Sequence, residues 1–147
     1  MNTNRIAKIA VRAIEKQSMT NDDVRELKQC LAEDDFITRE EAEDLLRVER
    51  LVPRTAWSWS EFFIETLTAH LVWERRPTGR ILEADADWLL GMLDLPRAAA
   101  AANVRILLFS LVSEAEEVDQ RLIARAMHEN TLAREAGDLG THYPRAA

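Results

Sequence analysis

The sequence predicts an all-α fold of about seven helices in a bundle, and three observations carry that expectation. Glycine and proline number four each, too few for a chain rich in tight turns. Apolar residues recur at helical spacing through most of the chain. Long stretches of apolar–polar alternation, the mark of a half-buried strand, do not occur. The 147 residues suit one domain with its own core, and the 47% hydrophobic and 31% charged fractions are those of a globular chain.

The first helix is expected from Asn4 to Lys16, where Ile6, Ile9, Ala10, Ala13 and Ile14 make one apolar stripe and Arg5, Lys8, Arg12 and Lys16 make the other face basic. Thr20 opens a second helix, with Asp22 and Asp23 at its positive end and Val24, Leu27, Cys30 and Leu31 facing inward. Thr38-Arg39-Glu40-Glu41 is a capping box that starts the third, with Ile37 and Ala42 placed as the accompanying staple. Pro53 ends that element, and Trp57 and Trp59 fall in the connection behind it. Ser58-Trp59-Ser60-Glu61 reads as a second capping box leading into an apolar, central helix that Pro77 and Gly79 end. A fifth helix is expected over Glu83 to Leu93 and a sixth over roughly Arg97 to Val112. Ser113 caps a seventh that runs to about Arg134. The resulting division is an amphipathic N-terminal helix (1–17), a single helical domain (18–134) and a loose C-terminal tail (135–147).

A formal charge of −7 disfavours a phosphate backbone as partner, so nucleic acid is not expected. Cys30 is the sole cysteine, which excludes an intrachain disulfide and a cysteine-based zinc site and suits a cytoplasmic protein. No signal peptide is visible, and the most apolar run, Ala98 to Val112, is too short to span a bilayer and carries Asn103 and Arg105. Arg105 is expected to reach out to solvent. Arginine-rich, alanine-rich usage of this kind is associated with bacterial genomes of high GC content.

An internal repeat is suggested by Ile37–Leu46 and Ile81–Leu90. Ile37 meets Ile81, Glu41 meets Asp85, Ala42 meets Ala86, and Leu45-Leu46 meet Leu89-Leu90. The expected result is a pseudo-duplicated helix–loop–helix core, with Ile37 and Ile81 pairing at its centre. The spacing also evokes the calcium-binding EF-hand. With Ile37 at the eighth position, the first, third, fifth and twelfth are Cys30, Ala32, Asp34 and Glu41. With Ile81 there, they are Glu74, Arg76, Thr78 and Asp85, with Gly79 in the sixth. Too few oxygens remain for a hard cation, so these loops are degenerate and their acids are expected mainly to cap helices. Asp34, Glu41, Glu74 and Asp85 are the candidate metal ligands if a divalent cation binds at all; otherwise no cofactor is expected. His70 and Glu74, four apart on one helix face, could extend such a set with Asp85 or Asp87.

The segment Asp34-Asp35-Phe36-Ile37-Thr38-Arg39-Glu40-Glu41 resembles the hairpin of the TerB-like, tellurite-resistance group. The stretch from Trp57 to Leu90 likewise resembles uncharacterised alphaproteobacterial helical proteins. The TerB-like resemblance implies a small all-helical protein with a pseudo-duplicated core and an association with stress and divalent cations. The dense acidic clusters that would carry the cation role over are missing from this sequence.

No nucleophile turn or phosphate-cradling loop is present, so an enzyme is not expected. The expected function is a non-enzymatic interaction or adaptor protein, binding another protein or a second copy of itself without inserting into a membrane. Divalent-cation sensing or a stress response through the two hairpins is the alternative. Candidate contact residues are Trp57 and Trp59, because tryptophan is enriched at binding hot spots, and Ile6 and Ile9 of the first helix. For each pair, packing within the chain's own fold is the first reading and a partner contact the second.

Overall fold

The computed structural model describes residues 5–33, 36–97 and 102–129. The expected tail (135–147), Asp34, and the end of the seventh helix lie outside them. Helix α1 is Arg5–Lys16, α2 Asn21–Glu33, α3 Arg39–Leu51, α4 Trp57–Thr68, α5 Glu83–Leu93 and α6 Ala102–Glu114. Residues 120–129 form α7. A π-helical turn, Ala69–Glu74, continues α4. The fold is all-α, as the apolar periodicity requires, and no helix among the described residues is long and apolar enough to cross a membrane.

Local chemistry explains most boundaries. The Thr38 hydroxyl accepts from the Glu41 amide while the Glu41 carboxylate accepts from the Thr38 amide, a complete capping box on α3. Thr20 and Asp23 make the same reciprocal pair at the start of α2. Ser58 to Glu61, in contrast, makes no cap. Helix α4 begins two residues earlier, at Trp57, behind Ala56, which offers no side-chain cap, and the Ser58 hydroxyl instead donates to Asn21. Ser113 also caps nothing: it lies inside α6, and Asp119 supplies the carboxylate that accepts from the Arg121 amide at the head of α7. Arg105 is exposed on α6, as expected.

The helices are laced by two parallel two-residue bridges that sequence periodicity cannot show. β1 (Ser18–Met19) pairs with β2 (Arg54–Thr55), and β3 (Arg80–Ile81) pairs with β4 (Glu117–Val118). These bridges reveal the register of the duplication. The Ala56 amide donates to the Met19 carbonyl, and the Asp119 amide donates to the Ile81 carbonyl, each at 2.8 Å. Met19 therefore corresponds to Ile81, Asp23 to Asp85, Val24 to Ala86 and Leu27 to Leu89, all of them buried. Leu45, Val48 and Trp59 correspond in turn to Leu108, Leu111 and Leu122, also buried. Ile9 and Ala10 match Leu71 and Val72, so the end of α4 and its π turn open the second unit as α1 opens the first. Helix α1 packs on α2 and α3, and α4 packs on α6. The core repeats in this register and not in the expected one: the correspondence of Ile37–Leu46 with Ile81–Leu90 is corrected, because Ile81–Leu90 falls on 19–28, and Ile37 does not pair with Ile81, whose bridge partner is Val118.

Gln17 and Gly79 occupy the matching points where each opening helix ends. Both have left-handed backbone, φ 58° and 80°. Glycine adopts that region without steric penalty, whereas Gln17 anchors it by donating from its side chain to the Ile14 and Leu51 carbonyls. Gly79→Ala is expected to lower the unfolding free energy by about 1 kcal/mol, because the added Cβ disfavours positive φ. Its nearest neighbour would be the Glu116 side chain at 3.5 Å, an ordinary contact, so a urea melt isolates the backbone effect.

Candidate functional site

A cluster of polar and charged side chains interrupts the apolar interior where α3 begins, the π turn ends and α5 begins. Arg39 is delivered by the first turn of α3, directly behind the Thr38 cap. Its guanidinium reaches Asp85 Oδ1 at 2.6 Å and lies 3.9 Å from the ring centroid of Trp88, a cation–π contact. Arg75 Nε meets the same Asp85 oxygen at 2.8 Å. Trp88 donates its indole N–H to Glu43 at 2.7 Å, and His70 packs edge-on against the Trp88 ring at 6.3 Å.

His70 is 2% exposed, and neither ring nitrogen has a hydrogen-bond partner among the described residues; Arg39 Nη1 has none either. Burial, then the positive charges of Arg39 and Arg75, depress the imidazole to about 4, so it is neutral near pH 7. Glu74 Oε1 sits 3.6 Å from His70 Nδ1, beyond a normal hydrogen bond, and accepts from the Ile37 amide at 3.3 Å. Burial raises the Glu74 carboxyl, and the Ile37 amide opposes the rise.

Asp23, the counterpart of Asp85, is similarly held by two cations of the preceding helix, Arg12 and Lys16, at 2.8 and 2.9 Å. Burial pushes its carboxyl up, but the Thr20 amide, Lys16, the Thr20 hydroxyl and Arg12 outweigh that and bring it down to about 2.

These facts set the acid sensitivity of the fold. The folded-state pKa of His70 lies below the unfolded value of 6.5, so its contribution is complete above pH 6.5 and is lost as pH falls towards 4. Glu74 acts with the opposite sign, because its raised pKa lets the folded state gain a proton first. Stability is expected to fall by about 2 kcal/mol between pH 6.5 and 4, and His70→Leu is expected to flatten that descent. Urea denaturation across the range checks it; an unchanged slope in the variant would assign the descent to other groups.

Among the described residues the candidate metal ligands Glu41, Glu74 and Asp85 are not assembled into a site. Cys30 and Ala32 stand within α2, where no EF-hand loop can form, and Glu41 is spent in the α3 cap. Asp85 faces two guanidiniums, and Asp87 faces Arg121. Only Glu74 stands beside His70, and no group of three or more His, Cys, Asp or Glu among the described residues could hold a metal. Asp34 lies outside the described residues.

The two tryptophans separate. Both lie in the first turn of α4 rather than in a connection. Trp57 is 78% exposed. Trp59 is fully buried against Phe62 and Phe63, with its indole N–H donated to Glu49, which removes it as a contact residue. Ile6 and Ile9 are core residues of α1 and are equally unavailable. The Arg39–Asp85–Arg75 network was not legible in the sequence, since nothing in a capping box marks its second residue for a distant acid. No family model, curated protein or solved structure matches the chain.

Proposed function

We propose that this chain is a non-enzymatic protein-interaction or adaptor protein of a TerB-like helical type, acting in the cytoplasm. The observation that carries the reading is Trp57, a large aromatic left 78% exposed at the head of a helix. Its backbone neighbours are held in place: the Ala56 amide bonds Met19 and the Ser58 hydroxyl bonds Asn21. A rigidly based, exposed tryptophan is the side chain that dominates binding energy at protein interfaces. The buried acids support the same reading, because caps and arginines already occupy Asp23, Glu41 and Asp85.

A photo-crosslinking amino acid at position 57 tests it, followed by binding measurements with the purified captured protein, whether another chain or a second copy. Trp57→Ala is expected to weaken that binding about thirtyfold or more while leaving the melting temperature unchanged. Equal affinity of parent and variant would overturn the assignment of Trp57, and the absence of any captured protein would overturn the interaction reading.

A further inference from the structure

A cleft of about 510 Å³ opens where the end of α3 and the link behind it face the segment that precedes α6. Arg50, from the last turn of α3, and Arg97 stand on its wall, with the hydroxyl-bearing Thr55 and Ser60. Neither guanidinium has a carboxylate partner among the described residues, a state they share with Arg54, Arg76 and Arg105; what sets them apart is that both stand on the wall of one cleft. Arg50 makes only a 3.5 Å contact with the Pro96 carbonyl.

The one acid on the wall, Glu49, does not neutralise them. Its Oε1 accepts from the Trp59 indole at 2.8 Å and from the Asn103 side chain at 3.0 Å, and its Oε2 accepts from the Asn103 amide at 3.1 Å. Glu49 is therefore the internal anion of the α6 N-terminus, turned towards three N–H donors. The two non-glycine residues with left-handed backbone among the described residues, Gln17 and Arg97, both line this cleft. Conformations of that kind persist only where the surroundings hold them.

We propose that this cleft binds a small oxyanion, phosphate or carboxylate, gripped by the guanidiniums of Arg50 and Arg97. The fork of N–H donors on each guanidinium matches the paired oxygens of either group. Thr55 and Ser60 supply neutral hydroxyl donors to the remaining oxygens. The site is separate from Trp57 and stands whether or not Trp57 meets a partner.

Calorimetric titration of the full chain at low ionic strength, with inorganic pyrophosphate and with citrate in separate experiments, tests the proposal. Saturable binding of at least one probe is expected, and which probe binds assigns the phosphate or carboxylate class. Arg50→Gln and Arg97→Gln are each expected to weaken it about tenfold, whereas Arg105→Gln, the same charge change on an exposed position of α6, leaves it unchanged. Because the Arg97 side chain is exposed and makes no hydrogen bond or ion pair among the described residues, Arg97→Gln remains decisive if Arg50→Gln lowers the melting temperature. Absence of saturation with both probes would overturn the proposal. So would an equal loss in Arg105→Gln, which would mark a general charge effect.

Discussion

Asp85→Ala is expected to lower the unfolding free energy by about 3 kcal/mol, measured by urea denaturation near pH 7. Asp85 is 8% exposed and is the shared anion of Arg39 and Arg75. The two cations do not respond alike to its loss. The Arg75 side chain is 41% exposed and can take up water, whereas that of Arg39 is 21% exposed. Burial already pushes Arg39 below its ordinary value, and the hydrogen bond to Asp85 is the chief opposing influence. Removing the acid leaves a half-buried guanidinium with the Trp88 ring and the charge of Glu43 as its remaining counterparts. The double variant Asp85→Ala with Arg39→Met is therefore expected to regain much of the loss, because it removes the stranded charge along with its partner. A single-variant loss under about 1 kcal/mol would show that Arg39 rehydrates by local opening.

Trp59→Ala is expected to cost about 3–5 kcal/mol. The ring is fully buried, with its centroid 5.4 Å from Phe63 and 6.0 Å from Phe62, so its removal leaves a cavity in the core. The substitution also removes one of the three N–H donors to Glu49, the residue that ties α3 to the start of α6. Trp59→Phe keeps most of the volume and loses the indole donor, so a smaller cost of about 1–2 kcal/mol is expected. Trp57→Ala, two positions away, is expected to change stability by less than about 0.5 kcal/mol. Similar losses at both tryptophans would contradict the burial difference that separates contact residue from core residue.

That contrast shows where local sequence stops. Adjacent helical positions differ in direction, and which direction meets the core depends on where other elements pack. Trp57 and Trp59 looked equivalent as a pair in a connection; only the packing of α4 against α2 and α6 places one inside and one outside. The candidate site was partly legible in the same way. His70 and Glu74 could be paired from their spacing, but Arg39 joins the cluster through contacts with Asp85 and Trp88, residues far from it in the chain.

The sequence by itself determined the helices. The apolar period, the Thr38–Glu41 capping box, the cap at Thr20 and the bounds Glu83–Leu93 of α5 are local properties, set by side-chain spacing and by the unpaired amides of a first turn. Tertiary structure alone decided the register of the duplication. The pattern of an apolar residue, a capping position and a first-turn acid recurs at Met19–Asp23, Ile37–Glu41 and Ile81–Asp85, because any helix entry favours it. Only the bridges from Met19 to Thr55 and from Ile81 to Val118 distinguish the true counterparts. Those are backbone hydrogen bonds between distant segments, and backbone groups carry no side-chain signature from which a sequence could announce its partner.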